Sequence, residues 1–340
     1  MGKKAVIYGA GEYGQKVFRF LSDIGVPIRC FCQTYAEKGT ELLGIPVVSF
    51  SDLLDTKEKL VFFLAIANKE IREQIRMRIQ SFFLDKASII DYGNILPSSY
   101  FQNNMGGYCN LCNSSIVNFI PGGLQGIENV RLFQEHHIIG GGHRKHYLCP
   151  VCGGVDRERW LVWVLSRYTT IFDDGCRVLH FAPEELITKF IAANPNCDYY
   201  SGDIVLSKAM HKINIMDIPY KDGLFDYVIM NHVLEHICDM EQAMFEVKRV
   251  MKRDGKLILS FPICTDQDTL ERPDIVTDEG RLEYYGQKDH VRLFGRDYIQ
   301  IIAAFGFNVS VYTPKAHCSM DEIEHYGFIE DDVIMICSLV

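Results

Sequence analysis

The stretch from Arg177 to Pro262 constrains the fold of this chain more than any other. Arg177-Val178-Leu179-His180-Phe181-Ala182-Pro183-Glu184 is followed by Asp198-Tyr199-Tyr200-Ser201-Gly202-Asp203, then by Phe225-Asp226-Tyr227-Val228-Ile229-Met230-Asn231-His232-Val233-Leu234-Glu235-His236. It closes with Val250-Met251-Lys252-Arg253-Asp254-Gly255-Lys256-Leu257-Ile258-Leu259-Ser260-Phe261-Pro262. Each of these four apolar runs ends in polar or acidic residues, and helical segments separate them. Continuously apolar strands belong in parallel sheets, where helices cover both faces, so the pattern predicts a doubly wound α/β sheet. Ligands of such sheets bind beyond the carboxyl ends of the strands, where His180, Asp203 and Asn231 fall.

With 340 residues the chain has room for two or three domains with cores of their own. A net charge of -9 argues against a nucleic-acid or membrane-surface partner. The longest wholly apolar run, Leu60 to Ala67, is too short to span a bilayer, and the N-terminus shows no signal-peptide pattern. The expectation is a cytoplasmic protein without a membrane span.

Three segments follow from the pattern. Residues 1–98 read as a small Rossmann-like α/β unit, with strands at Ala5–Tyr8, Ile28–Cys32 and Val61–Ile66. Its helix Glu70–Phe83 places Ile71, Ile75 and Ile79 on one face. Residues 99–156 are rich in Gly, Cys and His and lack periodicity, with Pro97-Ser98-Ser99 as a linker before them. Residues 157–340 form the third unit, opening with a helix over Arg157–Tyr168 and ending in strands at Asn308–Tyr312 and Val333–Ser338.

Gly9, Gly11 and Gly14 form a Gly-x-Gly-x-x-Gly turn between a strand and a helix, which suits close backbone approach to a phosphate. The ribose-holding acid expected at the end of the next strand is replaced by Gln33 and Thr34. The same glycines serve tight strand–helix packing equally well. Through Gly9–Gly14 and Gly44-Ile45-Pro46-Val47 this segment resembles the small N-terminal domain of sugar O-acyltransferases of surface-glycan pathways. That resemblance implies a domain facing a nucleotide sugar.

Four of the 12 cysteines form two Cys-x-x-Cys pairs, Cys109/Cys112 and Cys149/Cys152, with 36 residues between them. Two such knuckles complete a tetrahedral zinc site, although the spacer exceeds the usual roughly 15–20 residues and an insertion must loop out. An all-cysteine set leaves no open position, so Zn2+ here would be structural. Unligated thiols are the alternative. His136, His137, His143 and His146 lie nearby as surface residues or substitute ligands.

Residues 157–340 resemble class I S-adenosylmethionine-dependent methyltransferases. The motif Cys-Pro-Val-Cys-Gly-Gly-x-Asp-Arg-Glu-Arg at 149–159 and the loop Tyr285-Gly286-Gln287-Lys288-Asp289-His290-Val291-Arg292-Leu293-Phe294-Gly295 resemble a zinc-containing bacterial subgroup. The resemblance implies S-adenosylmethionine as cofactor. His180, Ala182 and Glu184 stand where the family has an acidic residue and a Gly-x-Gly turn. Asp203 takes the place of the ribose-binding acid, Asp217 that of the adenine-contacting acid, and Asn231 lies where the methyl group points. Glu235 and His236 open the helix that follows, and His236 is as readily a packing residue as a catalytic one.

For the reaction, His290 is the first candidate base, oriented by Asp289, with His232 second. Gln287 and Arg292 are candidate substrate ligands, Arg292 for a phosphate or carboxylate. The expected activity is methyl transfer to a small molecule, a hydroxyl of a sugar or nucleotide sugar in surface-glycan synthesis. Two alternatives stay open: an RNA methyltransferase gripping RNA through the zinc module, and a non-catalytic nucleotide-binding scaffold. The acceptor atom and the oligomeric state are open as well.

Overall fold

A computed structural model of the chain describes residues 4–23, 26–66, 68–83, 87–91, 107–116, 118–123, 131–172 and 175–340. The expected linker at 97–99 lies outside the described residues. The chain gathers into two compact units: Met1–Gly122 with Lys145–Val155 and His325–Gly327, and Gly123–Arg144 with Asp156–Glu324 and Phe328–Val340. Both Cys-x-x-Cys pairs thus fall in the first unit, whereas much of the stretch between them belongs to the second. No helix among the described residues is long and apolar enough to cross a membrane.

The first unit is built on strands β1 (Lys4–Tyr8), β2 (Ile28–Gln33), β3 (Glu41–Leu42), β4 (Ile45–Ser49), β5 (Leu60–Leu64) and β6 (Ala87–Asp91), in the order β3-β4-β2-β1-β5-β6. All neighbours are parallel except β3 with β4. Every residue of β5 is buried, as a strand covered on both faces must be. Val61 and Phe63 pack with Ile7, Phe31, Val17 and Leu21 of helix α1 (Glu12–Asp23). Leu60, Phe62 and Leu64 point the other way, onto Phe50 and onto Ile75, Ile79 and Phe83 of α2 (Lys69–Phe83). Ile71 does not join this face: it sits in the first turn of α2 and is exposed. The hairpin β7 (Gly107–Cys109) and β8 (Ser114–Ile116) is antiparallel, and β9 (Ile120–Gly123) pairs with β11 (His143–Leu148).

The second unit begins with α3 (Arg131–Glu135) and β10 (Ile138–Ile139), then α4 (Asp156–Tyr168). Its sheet contains β12 (Cys176–Phe181), β13 (Cys197–Asp203), β14 (His211–Lys212), β15 (Phe225–Asn231), β16 (Met251–Ser260), β18 (Phe307–Tyr312) and β19 (Ile334–Leu339). The order is β14-β13-β12-β15-β16-β19-β18, and β19 alone runs against its neighbours. Strand order switches at β12, with β13 and β14 laid down on one side and β15 and β16 on the other, and ligands of α/β sheets sit in the crevice at such a switch point. Helices α5 (Glu185–Ala192), α6 (Met240–Val250), α7 (Asp278–Tyr285), α8 (Tyr298–Ala304), α9 (Pro314–His317) and α10 (Met320–Tyr326) complete the described elements, with β17 (Ile263–Cys264) paired to β10. The core runs through Leu179, Val228, Met230, Leu257, Leu259 and Met335, against Ala243, Met244 and Val247 of α6. The register sets Phe181 beside Met230 and Asn231 beside Ser260, so the carboxyl ends of β12, β15 and β16 finish level.

A buried ionic group sits in this unit. Arg144 Nε lies 3.2 Å from Asp156 Oδ2, and Asp332 is buried among the same charges. Burial, with Asp156 adding to it against Arg144 and Arg157, pushes the Asp332 carboxyl up to about 7. An unfolded aspartate titrates near 4, so folding favours the protonated form and stability contributed by this group is lost as pH rises from about 4 through 7. Asp332→Asn should match the native protein in thermal melts at pH 4. At pH 8 it should be more stable, by at most about 4 kcal/mol for a shift of that size. A lower melting temperature for the variant at pH 8 would show that the carboxylate is ionised and paired.

Candidate active site

The turn after β12 departs from glycine in sequence but not in conformation. Ala182 has φ +46°, a left-handed value that an L-residue adopts only when its surroundings hold it. Its N–H donates to the Gly202 carbonyl at 3.0 Å, tying the turn to β13. The fully buried His180 holds the turn from beneath: its Nε2 bonds Glu184 Oε2 at 2.9 Å and its Nδ1 meets the Tyr199 hydroxyl at 3.0 Å. Burial alone would raise the Glu184 carboxyl, but the His180 hydrogen bond holds it below the ordinary range. Glu184 is the residue before the first turn of α5, so the chain still delivers a helix N-terminus to the crevice.

Asp203 ends β13 and accepts the Val205 N–H on Oδ1 at 2.7 Å. Its Oδ2 makes no hydrogen bond among the described residues. Asp217 is exposed in the loop before β15. Asn231 is buried at the end of β15; its Oδ1 accepts the Ser260 hydroxyl at 3.1 Å, while its Nδ2 has no hydrogen-bond partner among the described residues. A glycine-like turn, a half-free carboxylate and an orphaned amide at the ends of three adjacent strands fit a nucleoside cofactor with polar substituents.

Beyond Asn231 the chain turns sharply. His232 has φ +52°, and its N–H donates to the Ser260 carbonyl at 2.8 Å. The helix expected to open here does not: residues 234–236 make one 3-10 turn, and α6 starts at Met240 with Asp239 accepting the Gln242 N–H at 2.9 Å. The reason is Arg292. Its guanidinium is wholly buried and donates to the carbonyls of Leu234, Ile237 (2.6 Å) and Cys238 (3.5 Å), and to both Glu271 oxygens at 2.8 and 2.9 Å. These carbonyls would otherwise accept helical bonds. Arg292 is therefore a brace for this segment and not a group that reaches a substrate.

The brace brings the histidines together. His232 Nδ1 lies 3.3 Å from Glu235 Oε1. The rings of His236 and His290 cross at 85° with centroids 4.7 Å apart. His290 is buried, and its Nδ1–H donates to the Tyr285 carbonyl at 3.1 Å. Asp289 does not orient it, contrary to expectation: Asp289 points into solvent, and its Oδ2 lies 3.3 Å from His236 Nδ1. Burial lowers the pKa of both His232 and His290, keeping them neutral near pH 7. Gln287 is half-buried, and its carbonyl accepts the His290 N–H at 3.4 Å.

The remaining expected residues belong to the first unit. A Cβ on Gly14 would lie 1.9 Å from the Gly9 carbonyl oxygen, and one on Gly9, where φ is +118°, would lie 2.6 Å from that of Ala65. Two of the three turn glycines are thus demanded by packing. Cys109, Cys112, Cys149 and Cys152 converge, with Sγ–Sγ separations of 3.7 Å (Cys109–Cys152) and 3.9 Å (Cys112–Cys149). A disulfide would bring sulfurs to about 2.05 Å, whereas a tetrahedral ion with bonds of about 2.3 Å spaces them about 3.8 Å apart. The N–H groups of Val151 and Gly154 point at Cys149 Sγ and Cys152 Sγ, each at 3.4 Å, as suits thiolates. Among the described residues no histidine joins the cluster: His136 pairs with Asp266 at 3.2 Å and His137 Nδ1 bonds the Thr265 hydroxyl at 3.3 Å.

Residues 192–259 match the family model described as a methyltransferase domain. That segment runs from the end of α5 to β16 in the sheet of the second unit. An uncharacterized protein of Methanocaldococcus jannaschii is 28% identical over 108 residues, covering 32% of this chain and 50% of that protein. Ajmaline N-methyltransferase of Rauvolfia serpentina is 27% identical over 103 residues, covering 30% of this chain and 33% of that enzyme. The matches therefore span half or less of these relatives' lengths. A SAM-dependent methyltransferase from Archaeoglobus fulgidus is similar over 55% of this chain and 95% of its own, at 12% identity and a TM-score of 0.37.

Sequence reasoning missed Glu235 as a site residue and the role of Tyr199 beneath the turn. Only three-dimensional placement shows what either side chain faces. If Arg292 is a brace, Arg292→Gln should cost on the order of 3 kcal/mol in urea unfolding, and Arg292→Lys nearly as much, because lysine lacks the planar fork. Native stability in both variants would return Arg292 to the list of substrate ligands.

Proposed function

We propose that the second unit transfers a methyl group from S-adenosylmethionine to a small-molecule acceptor, a hydroxyl of a sugar or nucleotide sugar. The observation that carries the methyl-transfer reading is the set of polar groups at the level ends of β12, β13 and β15, within a segment that matches a methyltransferase domain. When bound, the cofactor supplies an activated methyl group on a good leaving group. Asp203 is suited to the ribose hydroxyls through its half-free carboxylate, Asp217 to the adenine, and the Ala182 turn to the amino-acid end, with Glu184 near its ammonium. Asn231 lies at the strand end from which the reacting methyl would be aimed. A hydroxyl acceptor gives up a proton as the new bond forms, and the neutral rings of His232 and His290 can receive it.

The sugar acceptor rests on the resemblance of residues 1–98 to a domain that faces nucleotide sugars, with Gly9, Gly11 and Gly14 at its turn. The four-cysteine cluster is read as a structural Zn2+ site, since every tetrahedral position would be filled by protein. That ion would stabilise a stretch of chain with little apolar surface of its own.

Two measurements test these readings. Calorimetric titration with S-adenosylhomocysteine should show micromolar binding, weakened at least tenfold in Asp203→Ala, about 1.4 kcal/mol. Absence of binding to the wild-type protein removes the methyl-transfer reading. For the cysteine cluster, elemental analysis should give one zinc per chain, falling to none in Cys112→Ser/Cys152→Ser with a marked loss of thermal stability; a zinc-free, equally stable wild-type protein would leave four thiols.

A further inference from the structure

We propose that Glu235, His236 and His290 form a second metal site, for a divalent transition-metal ion, beside the methyl-transfer crevice. One ligand atom from each of the three lies within 4.8 Å of the other two. Proximity alone is common among polar residues, and two further observations point to a ligand.

The first is Glu235. Its side chain is buried, yet neither carboxylate oxygen accepts a hydrogen bond among the described residues. A buried carboxylate without hydrogen bonds costs several kcal/mol unless a cation compensates it. The nearest candidate, His232 Nδ1, stands 3.3 Å from Oε1 only and outside hydrogen-bonding geometry. A cation coordinated by Glu235 would supply the missing partner.

The second is the way the imidazoles are held. His290 Nδ1 faces the Tyr285 carbonyl at 3.1 Å, and His236 Nδ1 faces the Asp289 carbonyl at 3.2 Å. A carbonyl only accepts, so in both rings Nδ1 carries the proton and Nε2 presents its lone pair. Ligating histidines are typically fixed in this way, through an outer hydrogen bond that sets the tautomer. Arg292 adds rigidity by anchoring the carbonyls of Leu234 and Ile237, on either side of Glu235 and His236. Two neutral imidazoles and one carboxylate suit Zn2+, Fe2+, Mn2+ or Co2+ and disfavour Ca2+, which prefers oxygen.

Three protein donors leave coordination positions open. The metal's role rests on the methyl-transfer reading: an ion there would hold adjacent oxygens of an acceptor and favour loss of a hydroxyl proton. His290 would then be a ligand, leaving His232 as the group that receives the proton.

The test uses full-length protein as purified, titrated anaerobically with Co2+. One equivalent should bind with weak visible absorption of nitrogen and oxygen coordination, without the intense near-ultraviolet bands of thiolate ligation. His236→Ala, which alters a partly exposed residue, and Glu235→Gln should each weaken Co2+ binding at least 100-fold while the zinc content of the cysteine cluster is unchanged. Lack of this absorption in the wild-type protein, or wild-type affinity in both variants, overturns the proposal. Parallel titration with S-adenosylhomocysteine separates the two readings. Cofactor binding without Co2+ binding defeats the metal site alone, and Co2+ binding without cofactor binding defeats methyl transfer alone.

Discussion

The crevice end of the second unit depends on one buried guanidinium. A chain leaving β15 would by default continue into α6, with the carbonyls of residues 234–238 closing helical bonds. Arg292 engages three of those carbonyls, the Leu234 carbonyl keeping only a turn bond from the Ile237 N–H at 3.3 Å, and draws its loop against the segment. A buried arginine is stable only when its donors are matched and its charge compensated, and here Glu271 does the latter from a partly exposed position. Because the fork is planar and rigid, it fixes the spacing between the 232–236 turn and the 285–292 loop. His232, Glu235, His236 and His290 face one another as a consequence. The left-handed His232 backbone is the strain that this arrangement tolerates.

A comparable substitution operates at the β12 turn. Glycine normally permits the left-handed conformation and leaves the backbone open to the ligand. Here alanine adopts the same conformation at +46°, and a hydrogen-bonded chain of Thr188, Tyr199, His180 and Glu184 supports it from below. The conformational freedom that glycine would supply is replaced by tertiary constraint. Such a turn is stiffer than its glycine counterpart and more exacting about what lies beneath it. It keeps the backbone donors and the helix N-terminus in place, and it brings a carboxylate, Glu184, close to them.

What was legible in the sequence divides along physical lines. Continuous apolar runs announced β12, β15 and β16 because both faces of these strands are covered, and β5 for the same reason. Cysteine spacing announced a four-sulfur cluster, which the geometry brings together. Residue type plus position did not reveal side-chain commitments. Arg292 and Asp289 sit in a loop with the composition of a binding site, yet one is buried as a brace and the other turns to His236. Ile71 fits the helical period of α2 but lies one turn beyond the sheet's reach. Glu235 reads from sequence as a helix residue, and no local signal records that a distant arginine holds residues 234–236 in a single 3-10 turn ahead of α6.

The Gly-x-Gly-x-x-Gly of the first unit shows how one pattern has two sufficient causes. Phosphate approach and strand–helix packing ask for glycine at the same places, since both require backbone where a Cβ would otherwise stand. In this chain packing accounts for Gly9 and Gly14 without any ligand. Gly11 is different: a Cβ there would meet nothing within 4 Å, so packing gives no reason for it. The middle glycine is thus the informative one, because a position with no protein atom within reach of a Cβ is where a ligand's demand on the backbone would be felt.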